Sequence, residues 1–462
     1  MILSHDNADN TVEPWITLWR NAVLKEHPAA TNLPDIEENL QSEASKLTSI
    51  GLNPQEAVGV ALGRIAANHP DSNAYLATWA TVTLGYQTQA HSRRSLIVRE
   101  SFFVFGLAII AALVFKVPVL FGTEIYPEDT EPNAAPDLFY FRNLSFFVFP
   151  LLSGYFLWKR NASFKTTSAI VTSFALGLLF TNIYPFKGAG STEVITVVHI
   201  PIFLWAIVGA SYMSGDWHSI PKRLGFIRFS GELFIYYTLI ALGGGIFTLL
   251  TALLFASIGI DTEIFIFNWL LPCGAIGAAI IATGLVESGH SPIGTIAPTL
   301  SKAFTPLFAA MLLIFLIAII LTGNDIQAQR ETLIVIDLLL VLVTGLIIYN
   351  VSARKAQDPT GLFDILQVVL IITALVIDVI MLIAIASRII EFGLSPNKVA
   401  ALGENIILFI HLAGSAWITL HRYFMKRKPF EELITWHMYY LSVLPAWSLC
   451  VVVLFPPIFD YI

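Results

Sequence analysis

Residues 362–390 read LFDILQVVLIITALVIDVIMLIAIASRII, an apolar run long enough to cross a bilayer, since a spanning helix needs about 20 apolar residues to traverse roughly 30 Å of hydrocarbon. Ten more segments of this kind fill nearly everything after residue 100: 101–122, 141–158, 166–186, 193–213, 230–258, 263–286, 303–323, 331–351, 400–421 and 434–456. Composition points to the same class. With 56% hydrophobic residues, 13% charged residues and a mean hydropathy of +0.71, too little polar surface remains for a soluble globule of 462 residues. The expected fold is all-α: a polytopic helical membrane domain of about eleven transmembrane helices over residues 96–462, preceded by a small cytosolic helical bundle over residues 1–95.

Basic residues give the expected orientation, because cytoplasmic flanks retain Lys and Arg. With the N-terminus inside, sixteen fall on the inner connections: Arg93, Arg94, Arg99, Lys159, Arg160, Lys165, Lys222, Arg223, Arg228, Lys302, Arg354, Lys355, Arg422, Lys426, Arg427 and Lys428. Only six fall outside, namely Lys116, Arg142, Lys187, Arg330, Arg388 and Lys398, which predicts an odd number of spans with the C-terminus out. Glu124, Glu128, Asp129 and Glu131 make the first external loop acidic, in agreement with that side but with little weight in setting it. The net charge of -7 carries no message about nucleic acid, and no basic cluster reads as a DNA or RNA patch. Cys273 and Cys450 both lie within spans, so no disulfide framework or CxxC metal site is expected and packing is their reading. The first apolar run begins too late for a cleavable signal peptide, which makes the first ninety-odd residues a mature domain.

That prefix reads as helices. Trp15, Leu18, Trp19, Val23 and Leu24 recur at helical spacing over 12–27, with Pro14 in the first turn. A second amphipathic helix over 34–50 stops at Gly51, and a third starts with Asn53 as cap, Pro54 at its first position and Glu56 three residues after the cap. A fourth is expected from Asp71 or Ser72 towards Tyr86, and Gln87 to Ser95 then reads as a linker. The stretch from Ile36 through Gly51, Leu52, Asn53, Pro54, Gln55, Glu56, Ala57 to Gly63 and Arg64 resembles the bacterial permease prefix domain, with Ile65 and Ala66 where that family has glycine after the arginine. The resemblance implies a role in interaction or regulation ahead of a membrane domain, and hence a cytosolic protein partner.

Two later stretches are similar to a family of bacterial polytopic proteins catalogued as domain of unknown function 4153. One runs from His199, Ile200 and Pro201 through Arg228, Gly231 and Glu232 to Tyr236 and Tyr237; the other is the turn Arg388 to Lys398, with Lys398 where arginine is usual. That resemblance implies architecture and a bacterial inner membrane, and no activity.

Polar residues within spans are the remaining signal, because an ionisable group at a helix centre costs roughly 2.5 to 3.5 kcal/mol on insertion scales. In the expected orientation Asp337 lies roughly 9 Å and Asp378 roughly 13 Å below the same outer surface, at 1.5 Å per residue. Glu404 and Asn405 sit near that surface and His411 near the midplane, while Arg388 and Glu391, spaced by three, share a helical face at the end of the preceding span. One reading is a polar cavity open to the outside, in which Asp337, Asp378 and His411 bind a cation or relay protons. The other is that these groups bond between helices and that Arg388 with Glu391 secures the external turn. Glu232, four residues after Arg228, reads as half of a local ion pair that seats the fifth span, or as a gate; His199 reads as a packed histidine or a ligand. Gly243, Gly244 and Gly245 permit a break, a kink or a close neighbour, and Gly274, Ala278 and Ala282 supply a small-residue strip for such contact.

No internal repeat is evident. The sequence carries no Walker A loop, HExxH, GxSxG, dinucleotide fingerprint or paired cysteine ligands, and the short loop Gly188, Ala189, Gly190, Ser191, Thr192 is too short for a phosphate site. No cofactor, metal or catalytic set is expected. The functional expectation is a permease-like transporter of a small solute or ion, with a non-transporting sensor or scaffold as the alternative.

Overall fold

The computed structural model describes residues 11–26, 33–68, 73–123, 139–187, 190–258, 260–288, 293–322, 330–354, 361–424 and 429–462, with the backbone alone at some helical positions, chiefly 84–98. Asp71 and Ser72, the acidic loop residues Glu124, Glu128, Asp129 and Glu131, and Gly188 with Ala189 lie outside the described residues. The protein is all-helical, and the described residues contain no strand. Two compact units divide the chain, Met1–Ser101 and Phe102–Ile462.

In the first unit, α1 (Glu13–Glu26), α2 (Leu33–Ser49), α3 (Pro54–Asn68) and the start of α4 (Asn73–Lys116) enclose a core of Trp15, Ile16, Trp19, Leu40, Ala61 and Trp79. Burying each large side chain contributes about 1.5–3 kcal/mol. Gly51 follows α2 at φ +104°, a conformation that costs any side chain with a Cβ. Asn53 Oδ1 accepts the Glu56 N–H at 2.8 Å, the cap that starts α3. Gly59 lets the Trp79 indole approach so closely that a Cβ there would lie 2.8 Å from Nε1. The expected linker from Gln87 to Ser95 is helical backbone within α4. Nothing in that stretch breaks a helix, having neither Gly nor Pro, so the backbone continues into the apolar run.

The second unit holds the end of α4, a short 3₁₀ turn Val117–Phe121, α5 (Phe139–Lys159), α6 (Phe164–Ile183), α7 (Ser191–Tyr212), α8 (Ile220–Ala256), α9 (Glu263–Glu287), α10 (Ile293–Thr322), α11 (Arg330–Ala353), α12 (Leu362–Phe392), α13 (Pro396–Phe424) and α14 (Phe430–Ile458). Among the described residues ten helices are long and apolar enough to cross a membrane. All eleven expected spans are helices; α5 is the one outside that ten, its apolar run diluted by Arg142 and Asn143. Two apolar cores organise the unit. One joins α4, α5, α6, α7, α9, the start of α8 and Val452 of α14; the other joins α10 to α14 with the same start of α8. Helix α7 packs on α5 and on α14, so it bridges the two.

Partly buried ion pairs hold helix ends together: Arg142 with Glu193, Lys159 and Arg160 with Glu287 at 3.3 and 3.2 Å, and Arg354 with Asp364. At the end of α4 the Lys116 ammonium bonds the Asn268 carbonyl and stands 4.3 Å from the Trp269 ring centroid. Asn268 belongs to a single π turn, Ile266–Leu270, inside α9. Further along α9, Gly284 meets Val104, where a Cβ would lie 2.7 Å from Cγ1.

Of the break, kink or close neighbour that Gly243, Gly244 and Gly245 permit, neither the break nor the close neighbour is found. Helix α8 runs through them, and a Cβ at any of the three would meet nothing within 4 Å. Breaking a helix in hydrocarbon strands backbone N–H and C=O groups at several kcal/mol each, far more than the roughly 1 kcal/mol a glycine costs inside a helix. This half of α8 exposes Leu242, Ile246, Leu250 and Leu254, as a helix solvated by lipid does.

Candidate functional site

The last four helices carry a buried polar cluster that neither core explains. Helices α11 and α13 run parallel, and their register is pinned twice: Asn405 donates to Asp337 Oδ1 at 3.0 Å, and Arg354 donates to the Tyr423 hydroxyl at 3.1 Å. Helix α12 runs antiparallel to α13, pinned where the Tyr423 hydroxyl donates to Asp364 at 2.6 Å. Helix α14 closes on α13 through two glycines. A Cβ at Gly403 would fall 2.0 Å from the Trp447 ring and one at Gly414 would fall 2.1 Å from that of Trp436, so glycine at both positions makes room for the indoles against the backbone. The Trp436 indole N–H then donates to the His411 carbonyl at 3.0 Å.

This frame sets three carboxylates together. Asp378 on α12 is fully buried, and neither carboxylate oxygen has a hydrogen-bond partner among the described residues. It interacts electrostatically with Asp337 on α11, which in turn interacts with the half-buried Glu404 on α13. The ion pairs of the described membrane unit all lie elsewhere, and no Lys or Arg among them meets these three acids. The adjacent layer is aromatic and basic. His411 Nε2 and His437 Nδ1 are 2.7 Å apart with one N–H between them, and Tyr440 stacks on His411 with centroids 3.8 Å apart. His411 Nδ1, His437 Nε2, the Tyr440 hydroxyl and Asn405 Oδ1 are buried and have no hydrogen-bond partner among the described residues. Tyr440 also interacts electrostatically with Glu404 and Asp378, which ties the two layers together.

Of the residues singled out in the sequence, Asp337, Asp378, Glu404 and His411 therefore lie in one cluster. It is closed at Asp378 and His411, 0% and 1% exposed, where the sequence reading placed an opening to the outside. Arg388 and Glu391 lie at the C-terminal end of α12. Arg388 has its guanidinium 5.8 Å from the Phe392 ring centroid, and Glu391 is exposed and forms no ion pair with it. Glu232 and Arg228 interact electrostatically without a direct salt bridge, and the Arg228 Nε donates to the Ser352 carbonyl at 2.7 Å, tying α8 to the end of α11. His199 is buried in α7 with Nδ1 2.8 Å from the Ile195 carbonyl and Nε2 without a hydrogen-bond partner among the described residues.

Sequence reasoning missed His437 and Tyr440. They lie three apart in the last span, near its start, where a polar residue reads as interfacial; only the pairing of α14 with α13 places them beside His411. Among the described residues no group of three or more His, Cys, Asp or Glu is placed to hold a metal ion. Comparison of the chain with models of known protein families, with curated proteins and with solved structures finds no match.

Proposed function

We propose that this multi-pass membrane protein is a permease-like transporter of a small solute or ion, working in a bacterial inner membrane with its N-terminus cytoplasmic. The observation that carries the reading is Asp378: a carboxylate buried completely in an apolar helix, beside a second carboxylate, with no bond that repays its burial. Ionisable groups are retained in hydrocarbon at a cost of roughly 2.5–3.5 kcal/mol on insertion scales, and an acid that holds no helix in place is retained for what passes it. Three acids without a basic partner among the ion pairs favour a positively charged passenger over an anion. The test is uptake of radiolabelled monovalent and divalent cations into proteoliposomes. Asp378→Asn is expected to lower uptake at least ten-fold with unfolding unchanged, and uptake equal to that of the unaltered protein would remove the basis of the reading.

A sensor or scaffold reading draws on the first unit, which has its own tryptophan-rich core and carries Glu43 on its surface between Lys46 and Arg64. In that reading the prefix, like the permease prefix domain it resembles, binds a cytosolic partner. Charge reversal at Glu43 and Arg64 then abolishes function while Asp378→Asn leaves it intact.

A further inference from the structure

The carboxylate cluster is one end of a longer polar stripe. Down the buried face of α13 follow Asn405, His411, Ser415 and Thr419, ending at Tyr423. From Glu404 to Tyr423 the helix rises roughly 28 Å at 1.5 Å per residue, close to the roughly 30 Å of a hydrocarbon core. Neighbouring helices carry further buried polar groups: Thr344 on α11, Thr373 and Gln367 on α12, and Asn350 on α11, which donates to Thr305 on α10. The Thr344 and Thr419 hydroxyls and Asn350 Oδ1 have no hydrogen-bond partner among the described residues. At the far end stands the Arg354, Asp364 and Tyr423 group.

The histidine pair lies between these ends, and its geometry is selective. Two ring nitrogens 2.7 Å apart share a single proton and leave no room for an ion between them, since a metal bridging two imidazoles at about 2.0–2.1 Å per bond holds the nitrogens further apart. The outer nitrogens, His411 Nδ1 and His437 Nε2, are both buried and have no hydrogen-bond partner among the described residues. A static pair would leave each at a cost of about 1–3 kcal/mol. Both are therefore placed to exchange a proton with something that arrives.

We propose that α11 to α14 form a proton pathway, with His411 and His437 as the relay between the Asp337, Asp378 and Glu404 level and the Asp364 and Tyr423 level. The proposal rests on the transporter reading above and names its ion. Start with His411 protonated on Nε2 and donating to His437 Nδ1, and His437 carrying its own proton on Nε2. A proton arriving from the carboxylate level binds His411 Nδ1. The Nε2 proton crosses to His437 Nδ1, and His437 releases its Nε2 proton to a water molecule on the Asp364 side. One proton enters and one leaves, both rings end neutral in the other tautomer, and a rotation of both rings about their Cβ–Cγ bonds resets them. The group against the pair is Tyr440 on α14, and Glu404 on α13 and Asp378 on α12 act electrostatically on that tyrosine. Tyr440, stacked on His411, keeps that ring in register with its partner.

The test uses the full chain in liposomes of phosphatidylethanolamine and phosphatidylglycerol, with trapped pyranine reporting internal pH under a valinomycin-set potential. Parallel vesicles report radiolabelled sodium and rubidium uptake. Potential-driven proton entry is expected, lowered at least ten-fold in His411→Gln and in His437→Gln, with thermal unfolding of each variant confirming its fold. Sodium or rubidium uptake that needs Asp378 but survives both histidine variants, without proton entry, overturns the relay and leaves the transporter reading standing. Absence of all three fluxes overturns both. A measurement independent of flux is nitrogen-15 NMR of histidine-labelled protein: a relay shows both tautomers of the pair exchanging with water, whereas one fixed tautomer whose ring protons persist in D₂O for hours overturns it.

Discussion

Two aspartates of α12 differ in what surrounds them, and the structure predicts opposite signs when each is removed. Asp364 accepts from the Tyr423 hydroxyl and the Gly361 N–H, and it pairs with Arg354, whose side chain is also buried. Asp364→Ala leaves that arginine without its carboxylate, and breaking a buried pair in this way costs about 3–5 kcal/mol. Asp378 has no such bond to lose. Its removal relieves a buried unsatisfied polar group, worth about 1–3 kcal/mol. Against this stands the space left behind. A void no larger than one water's share, about 30 Å³, at about 24 cal/mol per Å³ costs about 0.7 kcal/mol. Asp378→Ala should therefore stabilise the fold by about 0.5–2 kcal/mol while abolishing transport, and Asp364→Ala should destabilise it. Reversible unfolding of both variants in mixed micelles with increasing SDS measures the difference directly. Loss of more than 1 kcal/mol in Asp378→Ala would falsify the reasoning, because it would mean that the carboxylate holds helices together.

Glycine substitutions separate contact from lipid exposure. Gly414→Ala pushes against Trp436 and should cost about 1–3 kcal/mol, whereas Gly244→Ala faces open space and should be neutral or stabilising by up to about 1 kcal/mol, both read by thermal unfolding in detergent. Asn53→Ala removes the cap of α3 and should cost about 1 kcal/mol, seen as faster amide hydrogen exchange over the first turn of that helix. The hydrogen bond from Lys46, with help from Arg64, holds the Glu43 carboxyl below its ordinary value. A depressed folded value means that its contribution is present above the unfolded pKa and is lost as pH falls through the folded one. Protection of α2 and α3 against exchange should therefore weaken on acidification below the ordinary glutamate range, and Glu43→Gln should flatten that part of the profile.

The spans were legible because length and apolar content are properties of the chain itself, and each of the eleven expected segments is a helix. Asp337 and Asp378 could be placed at one level from helix rise alone. The histidine pair could not, since it depends on which face of α14 meets α13, and that is decided by Gly403 and Gly414 receiving two indoles. Arg354 was counted only as an inner basic residue; its partner Asp364 opens the next helix across a connection, a contact that spacing within one helix does not reveal. The glycine triplet misled for a physical reason: glycine permits a break, and lipid withdraws the permission by leaving the freed backbone groups nothing to bond.

The π turn of α9 acts as a phase setting. A π turn carries one residue more than the α turn it replaces, and each residue of an α-helix advances the face by about 100°. Deleting one residue from Ile266–Leu270 would therefore rotate everything beyond it by about that angle. Gly284 would turn away from Val104 and a bulkier neighbour would arrive in its place. The Lys116 clasp on the Asn268 carbonyl thus marks the point from which the azimuth of the whole helix is counted.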